Sequence, residues 1–197
     1  MKKSVRLAIF AVIVVLISIG IYNSTDKNVK EMSNPIKYEK YIETYSEKYN
    51  LDIFYVIAII KSESNFDKDA VSVNGARGLM QLTPSTASYV ADELGWKKFD
   101  EDDLFIPKKN IELGCKHIAD LITEFGEIRP EIISAAYNAG SGSVAEWLQA
   151  GYYDYDKDEF EKIPFEETRD YVKTVDANYE YYKKLYGKKY AGEYTFE

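Results

Sequence analysis

The residue whose type and position could do chemistry is Glu63, which follows a long apolar run in the segment from Leu51 to Phe66. Residues 53–60 have no polar face, and a helix of that kind belongs in the middle of a domain. Apolar surroundings raise the pKa of a carboxyl group, and so does the partial negative charge at the end of a helix. A glutamic acid that stays protonated near neutral pH is what general acid catalysis requires. Taken alone, the segment fits better the commoner situation, a solvated glutamate that ends a core helix.

Three further segments carry residues suited to holding a ligand: GLMQL at 78–82, AAYNAG at 135–140 and IPFEETRDYV at 163–172. In the first, Gly78 allows close approach of the backbone, Met80 offers an apolar wall and Gln81 can both donate and accept hydrogen bonds. Each segment also has a plain structural explanation. GLMQL fits a turn before a helix with Met80 in the core, and AAYNAG fits a buried tyrosine followed by an asparagine cap.

Together with ESNF at 63–66, these segments stand in the order found in one known family. The chain resembles the catalytic domain of the lytic transglycosylases, the SLT family related to goose-type lysozyme, over roughly residues 36–186. Any one segment is weak, whereas the ordered set is highly specific. The resemblance implies a lysozyme-like, all-α fold.

The resemblance also implies a reaction. Family enzymes cleave the β-1,4 bond between N-acetylmuramic acid and N-acetylglucosamine in peptidoglycan, and the muramic acid's own 6-hydroxyl attacks in place of water to leave a 1,6-anhydro end. Glu63 matches the single catalytic acid, which protonates the departing oxygen and then deprotonates the 6-hydroxyl. The second carboxylate of most glycosidases is then not needed. Asp67 and Asp69 are the nearest candidates for one, and a loop-capping role suits them better. No cofactor or metal is implied.

The remaining site positions are carried over from the family as substrate-binding residues: Ser64, Ser72, Met80, Gln81, Tyr137, Asn138, Glu167 and Tyr171. We expect Ser64 to steady the helix end or to bond the backbone, and Ser72 to lie where the family places a serine near the acetamido group. The SVNGARG context of Ser72 departs from the commoner proline-containing form. The resemblance places Tyr137 near the reacting sugar and has Asn138 contact substrate or support the loop.

The late segment raises one ambiguity. We expect Glu167 to form a hydrogen bond in the floor of the site and Tyr171 to face the cleft. Glu166 is a rival for the role of Glu167 and better suited to solvent, and Arg169 can pair with either glutamate.

Periodicity and end signals predict an all-α domain over residues 36–187, with at most a minimal β-hairpin in the polar loop after Glu63. Asn50 or Asp52 can cap the first predicted helix, Thr83 and Pro84 open a helix that runs to Leu94, and a further helix runs from about Lys108 to Phe125 and is stopped by Gly126. The next helix starts at Pro130, and a capping box of Ser143 and Glu146 opens a short helix that stops at Gly151. An exposed loop at 152–162 and a last helix from about Phe165 to Gly187 follow.

The N-terminus predicts export. Lys2, Lys3 and Arg6 precede an uncharged, almost wholly apolar run from Leu7 to Tyr22. We interpret residues 1–22 as an uncleaved signal anchor that places the domain outside the cytoplasm, with a cleaved signal peptide and a secreted domain as the alternative. Residues 23–35 are polar and aperiodic, which indicates a tether. Residues 188–197 are expected to form a frayed tail.

Composition excludes several classes of function. The net charge of −8 and the pI of about 4.9 argue against a nucleic-acid partner. A single cysteine, Cys115, allows no intrachain disulfide, and with one histidine, His117, on another face of the same helix it does not suggest a metal site. The resemblance implies the peptidoglycan glycan strand as the partner, the N-terminal segment predicts contact with the membrane through the anchor, and the expected state is a monomer.

Three other functions stay open from the sequence. A hydrolytic muramidase on the same fold would leave a reducing muramic acid end. A non-catalytic wall-binding module would keep its function when Glu63 is replaced by glutamine. A helical interaction protein with no sugar partner would fail to bind insoluble peptidoglycan.

Overall fold

The computed structural model of the chain describes residues 12–18, 26, 28–126, 129–152 and 162–190. The chain divides into two compact units, residues 1–36 and residues 37–197. Most of the predicted anchor, most of the predicted loop at 152–162 and the tail from 191 onward lie outside the described residues.

The second unit is helical, and the all-α prediction is confirmed for the described residues. Its helices are α1 Glu39–Lys48, α2 Ile53–Ser64, α3 Pro84–Glu93, α4 Pro107–Phe125, α5 Pro130–Ala139, α6 Ser141–Gln149 and α7 Glu166–Tyr190, with a 3-10 helix at Glu101–Phe105 that the sequence did not predict. Asp100 caps this extra turn, and its carboxylate accepts from the backbone N–H of Asp102.

Helix α2 lies at the centre of the domain, as its apolar sequence predicts. Every residue from Ile53 to Ile60 is buried. Of the two predicted caps, Asp52 is the one used, since its side chain accepts from the backbone N–H of Phe54. Helix α7 runs antiparallel along α2: Phe54, at the start of α2, contacts Tyr190 edge-to-face, and Glu63, at its end, contacts Tyr171. This pair of helices forms the scaffold on which the site is built.

The chain leaves α2 through a strained turn. Asn65 and Phe66 both adopt left-handed backbone conformations, with φ of 52° and 62°. Such a conformation is uncommon for any residue other than glycine and is a genuine outlier for a bulky one. Phe66 is nevertheless held there, because its ring is buried against Tyr182. The turn stops the helix directly after Ser64 and so fixes Glu63 in its last turn.

The loop that follows forms no strand among the described residues. Isolated antiparallel bridges join Val71 to Arg77 and Arg77 to Leu82. The minimal β-hairpin allowed by the sequence is therefore reduced to these bridges.

Several predicted helix ends are confirmed, and two are wrong. Thr83 caps α3, and Gly126, with φ of 73°, ends α4. The capping box of Ser143 and Glu146 does not form, because α6 continues almost directly from α5 and begins at Ser141, so that Ser143 lies inside the helix. Helix α7 does not stop at Gly187 but continues to Tyr190, where the buried tyrosine ring holds the last turn against α2.

Because α7 passes through Gly187, replacing this glycine with alanine should stabilise the domain. A Cβ at Gly187 meets no atom within 4 Å, and alanine is favoured over glycine inside a helix by about 1 kcal/mol. We expect urea denaturation to show a higher midpoint at an unchanged slope. A lower midpoint would mean that α7 ends at Gly187 after all.

In the first unit, residues 12–18 and 28–33 are helical. The sequence predicts an irregular tether at the second of these stretches, and there the helix is supported by an ion pair one turn apart between Lys30 and Asp26, 2.6 Å long. No helix within the described residues is long and apolar enough to cross a membrane.

Candidate active site

The carboxyl group of Glu63 is held in a largely apolar setting and keeps one close polar partner. The hydroxyl of Tyr171 donates to its Oε1 over 2.6 Å. Burial raises the pKa of Glu63 to about 7, and the hydrogen bond from Tyr171 opposes this rise. The Glu63 side chain keeps some solvent exposure. Glu63 therefore combines the two properties of a general acid: a proton retained near neutral pH and access from outside.

Tyr171 stays a donor across the same pH range. Burial and the nearby charge of Glu63 hold the pKa of the Tyr171 hydroxyl well above its usual value. Its proton is thus available to the Glu63 carboxylate whenever Glu63 ionises. The bond stabilises the charged form of Glu63 and limits how far burial can raise the pKa.

Replacing Tyr171 with phenylalanine tests this coupling. Without the donated bond the pKa of Glu63 should rise above its present value of about 7. The pH at which activity falls on the alkaline side should then move to higher pH, and a pH–rate profile of the variant measures the shift. An unmoved or lowered alkaline limb would show that Tyr171 does not set the protonation of Glu63.

The GLMQ segment is held beside Glu63 by Asn110, a fully buried residue of α4. The amide oxygen of Asn110 accepts from the backbone N–H of Met80 over 2.8 Å, and its amide nitrogen donates to the carbonyls of Arg77 and Leu104. One side chain thus bonds three backbone groups, of which the carbonyl of Arg77 also accepts from the backbone N–H of Leu82. The sequence interpretation missed Asn110, although a polar residue on the stripe shared with Gly114 and Ile118 could have indicated it.

Two side chains from other helices fasten the same segment. The hydroxyl of Ser64 lies 2.8 Å from the carbonyl oxygen of Leu79 and also bonds back to Ile60, so the predicted bond to the backbone is confirmed. The hydroxyl of Tyr137 donates to the carbonyl oxygen of Met80 over 2.7 Å. The loop is thereby tied to α2, α4 and α5 at once.

Gly78 and Met80 face the protein rather than an open surface. A Cβ at Gly78 would overlap the carbonyl oxygen of Leu104 and the side-chain amide of Asn110, so the close approach that requires glycine is to the α4 side of the domain. The Met80 side chain is fully buried, with its sulfur against Gly114. The apolar wall predicted for Met80 is therefore part of the core in this structure, and its contact with substrate stays a prediction.

Gln81 and Ser72 lie on the partly exposed side of the loop. Gln81 has a left-handed backbone, with φ of 45°, and its amide nitrogen donates to the carbonyls of Ala70 and Gly78. The Ser72 hydroxyl accepts from the backbone N–H of Ala76 within its own turn, and that hydroxyl still has its proton to donate. Their contacts with a sugar stay predictions.

At the start of α7 the residue that faces the site is Thr168 and not the expected Glu167. Glu167 is exposed and its side chain forms no hydrogen bond with a described residue, so the predicted bond in the floor of the site is absent. The neighbouring Thr168 points inward instead and donates to the amide oxygen of Asn138 over 2.9 Å. Arg169 bonds the carbonyl of Ile163 rather than Glu166 or Glu167. Because Asn138 is exposed and its oxygen is occupied, its amide N–H groups are the part left for a ligand.

The two aspartates after Glu63 have loop roles. The carboxylate of Asp67 accepts from the backbone N–H of Asp69 over 3.0 Å, and both side chains are exposed. This confirms the structural explanation given for them.

Within the described residues, no group of three or more histidine, cysteine, aspartate or glutamate side chains is arranged to hold a metal ion. Cys115 is fully buried, as predicted for a core residue. His117 packs against the ring of Tyr137, and burial lowers its pKa to about 4, so it is neutral at physiological pH.

The fold and the site together define a helical, lysozyme-like domain built around one largely buried glutamate whose pKa is raised to about 7. The family model described as Transglycosylase SLT domain matches residues 40–160. The chain belongs to this family, as the ordered segments in its sequence predict.

Individual relatives extend the comparison. A putative soluble lytic murein transglycosylase of Haemophilus influenzae is 39% identical over 155 residues, which is 78% of this chain and 26% of that protein. The soluble lytic murein transglycosylase of Escherichia coli is 35% identical over 157 residues, 79% of this chain and 24% of that protein. The X-ray structure of an inactive mutant of lytic transglycosylase Slt from Pseudomonas aeruginosa matches with a TM-score of 0.73 at 31% identity, over 80% of this chain and 25% of that one. The chain thus spans about a quarter of the length of these relatives.

Proposed function

We propose that this protein is a peptidoglycan lytic transglycosylase. It cleaves the β-1,4 bond between N-acetylmuramic acid and N-acetylglucosamine without water and leaves a 1,6-anhydromuramic acid end. The observation that carries the proposal is the state of Glu63, whose pKa of about 7 lets one group lend a proton and then take it back. Membership in the SLT family supplies the substrate class.

Each residue then has a role in the reaction. Glu63 protonates the glycosidic oxygen and afterwards removes the proton of the muramic acid 6-hydroxyl. Each turnover therefore returns Glu63 to its protonated form. Tyr171 stabilises the carboxylate between these two steps through its donated bond. Gln81, Ser72 and the exposed amide of Asn138 are the polar groups proposed to hold the sugars, and Glu167 has that role only if a bound glycan reaches the exposed first turn of α7.

The position of the carboxylates favours internal attack over hydrolysis. An inverting hydrolase needs a second carboxylate to activate water, and a retaining one needs a second carboxylate as nucleophile. Asp67 and Asp69 are exposed and engaged in their own loop. Glu63 thus acts alone, and the 6-hydroxyl supplies the nucleophile.

Mass spectrometry of digested peptidoglycan tests the proposal. We expect the full chain to release muropeptides that are lighter by one water than the products of a muramidase digest run in parallel. Products with reducing muramic acid ends would identify a hydrolytic muramidase instead. Binding to peptidoglycan without any soluble product would identify a wall-binding module.

We further propose that residues 1–22 anchor the domain as a single-pass segment, residues 23–35 tether it, and the monomeric domain of residues 36–190 works outside the cytoplasm. In support, residues 12–18 are helical, and all six apolar residues from Val12 to Ile17 have exposed side chains. A helix that exposes apolar groups all round is suited to lipid. Alkaline carbonate extraction of membranes tests the anchor, since a cleaved and secreted protein would be released.

A further inference from the structure

The C-terminal end of α7 is basic, although the chain as a whole is acidic. Residues 181–190 contain four lysines, four tyrosines and no acidic residue, within a protein of net charge −8. The lysines are all exposed, namely Lys183, Lys184, Lys188 and Lys189. A basic surface on an acidic protein indicates an anionic partner at that surface.

The start of α1 joins this surface. Glu39 accepts hydrogen bonds from both Lys189 and Tyr190, which fixes the first turn of α1 against the last turn of α7. Lys37 and Lys40 flank Glu39 and are exposed. We call the combined surface the basic end, and it consists of Lys37, Lys40, Lys183, Lys184, Lys188 and Lys189.

Most of the positive charge in the basic end is not neutralised within the domain. Lys189 pairs with Glu39, and Lys183 donates to the hydroxyl of Tyr179. The other four lysines form no ion pair with a described residue. Asp52, which accepts from the Tyr179 hydroxyl, and Glu180 are the acidic residues near Lys183, and Glu43 lies one turn beyond Lys40 on α1.

Tyrosines stand among these lysines. Tyr41 on α1 and Tyr181 on α7 are 37% and 38% exposed. Tyrosine and lysine together are typical of protein surfaces at a lipid headgroup layer, where the ring is partly buried and the ammonium pairs with phosphate. A soluble polyanion without apolar groups would use the lysines but would not account for the tyrosines beside them. The net charge of −8 argues against a nucleic acid.

The basic end lies toward the other end of α7 from the site. Tyr171, which bonds Glu63, and Tyr190, which bonds Glu39, are about 28 Å apart along α7 at the usual helical rise. The chain enters the domain at residue 37, within the basic end, after the proposed anchor and tether. We propose that the basic end docks on the anionic headgroup surface of the membrane, so that Glu63 is held on the side remote from the lipid. This docking presupposes the proposed extracytoplasmic location, but its test separates the two.

Lysine footprinting on the full chain tests the docking. The protein is mixed with vesicles of neutral phosphatidylcholine or of phosphatidylcholine with phosphatidylglycerol, acetylated with a water-soluble reagent and read by mass spectrometry. On the anionic vesicles we expect Lys184 and Lys188 to react about five-fold more slowly, and high salt to reverse this protection. The exposed pair Lys97 and Lys98 should react equally on both vesicles.

A double variant gives the second arm. K184Q/K188Q should lose the protection of Lys37 and Lys40 on anionic vesicles, whereas the matched pair K97Q/K98Q should keep it. Equal labelling on both kinds of vesicle would overturn the docking proposal, and so would protection by soluble polyphosphate without protection by vesicles. Co-sedimentation with neutral vesicles depends on the N-terminal segment, so its failure counts against the anchor alone.

Discussion

Glu63→Gln is expected to remove nearly all glycan cleavage. Glutamine has a similar shape and can still accept the hydrogen bond from Tyr171, but it has no proton to lend. General acid–base catalysis contributes about 10²–10⁴ in rate, and a residue that serves both steps should lie toward the upper end of that range. Release of soluble muropeptides from purified peptidoglycan should therefore fall by about 10³-fold.

The matched control is Glu47→Gln, which neutralises an exposed carboxylate on α1 and should cleave at the wild-type rate. If Glu63→Gln kept more than about a tenth of the activity, the general acid assignment would be wrong, since loss of a proton donor costs at least about 10².

The same variant should also gain stability in a pH-dependent way. Burial raises the pKa of Glu63 from 4.5 to about 7, so the folded protein binds this proton more tightly than the unfolded chain. The contribution of Glu63 to wild-type stability is therefore greatest below about pH 4.5 and is lost as the pH rises through about 7, whereas glutamine has no proton to lose. Above pH 7 the variant should be more stable by up to about 3 kcal/mol, and below pH 4.5 the two should be equal. Urea denaturation at both ends of this range measures the difference, and a gap that does not change with pH contradicts the burial of Glu63.

We expect Gly78→Ala to destabilise the domain more than any other glycine-to-alanine substitution in this loop. The backbone of Gly78 has φ of 75°, and the added Cβ would overlap the carbonyl of Leu104 and the amide of Asn110. Neither neighbour can move freely, because Asn110 also holds Met80 and Arg77. We expect a loss of about 3 kcal/mol or more in the free energy of unfolding, together with lower activity as the loop shifts beside Glu63.

Gly75→Ala separates the cost of the left-handed backbone from the cost of the steric overlap. Gly75 has φ of 81° in the same loop, but a Cβ there meets nothing within 4 Å. This control should lose only the cost of a left-handed alanine, about 1–2 kcal/mol, and should keep its activity. Equal losses at the two positions would show that backbone conformation alone, and not the contact with Asn110, requires glycine at residue 78.

The features that the sequence predicted correctly depend on residues close together in the chain. The apolar run at residues 53–60 predicts α2 as a buried helix. That run alone favours a solvated Glu63, and only the ordered set of segments indicates a catalytic acid there. The caps at Asp52 and Thr83 depend on hydrogen bonds that span two or three residues. Such features need no knowledge of tertiary structure.

The parts that were missed depend on which residues meet across the fold. The sequence around residue 167 does not show which residue in the first turn of α7 faces the site. The packing of α7 turns Thr168 toward Asn138 and leaves Glu167 in solvent. Asn110 satisfies backbone groups that precede it by up to 33 residues. The stop predicted at Gly187 failed because the contact of Tyr190 with Phe54 outweighs the poor helix propensity of one glycine.

The antiparallel pairing of α2 with α7 has a consequence for synthesis. The bond between Tyr171 and Glu63 spans 108 residues, and α7, the partner of the apolar α2, is the last of the described helices to be synthesised. Contacts between residues so far apart in the sequence form late in folding. A nascent chain therefore carries α2 without the helix that packs on it, and Glu63 has no partner yet. Glu63 gains its hydrogen-bond partner only once α7 has been synthesised, so the candidate site cannot assemble on a nascent chain that lacks this helix.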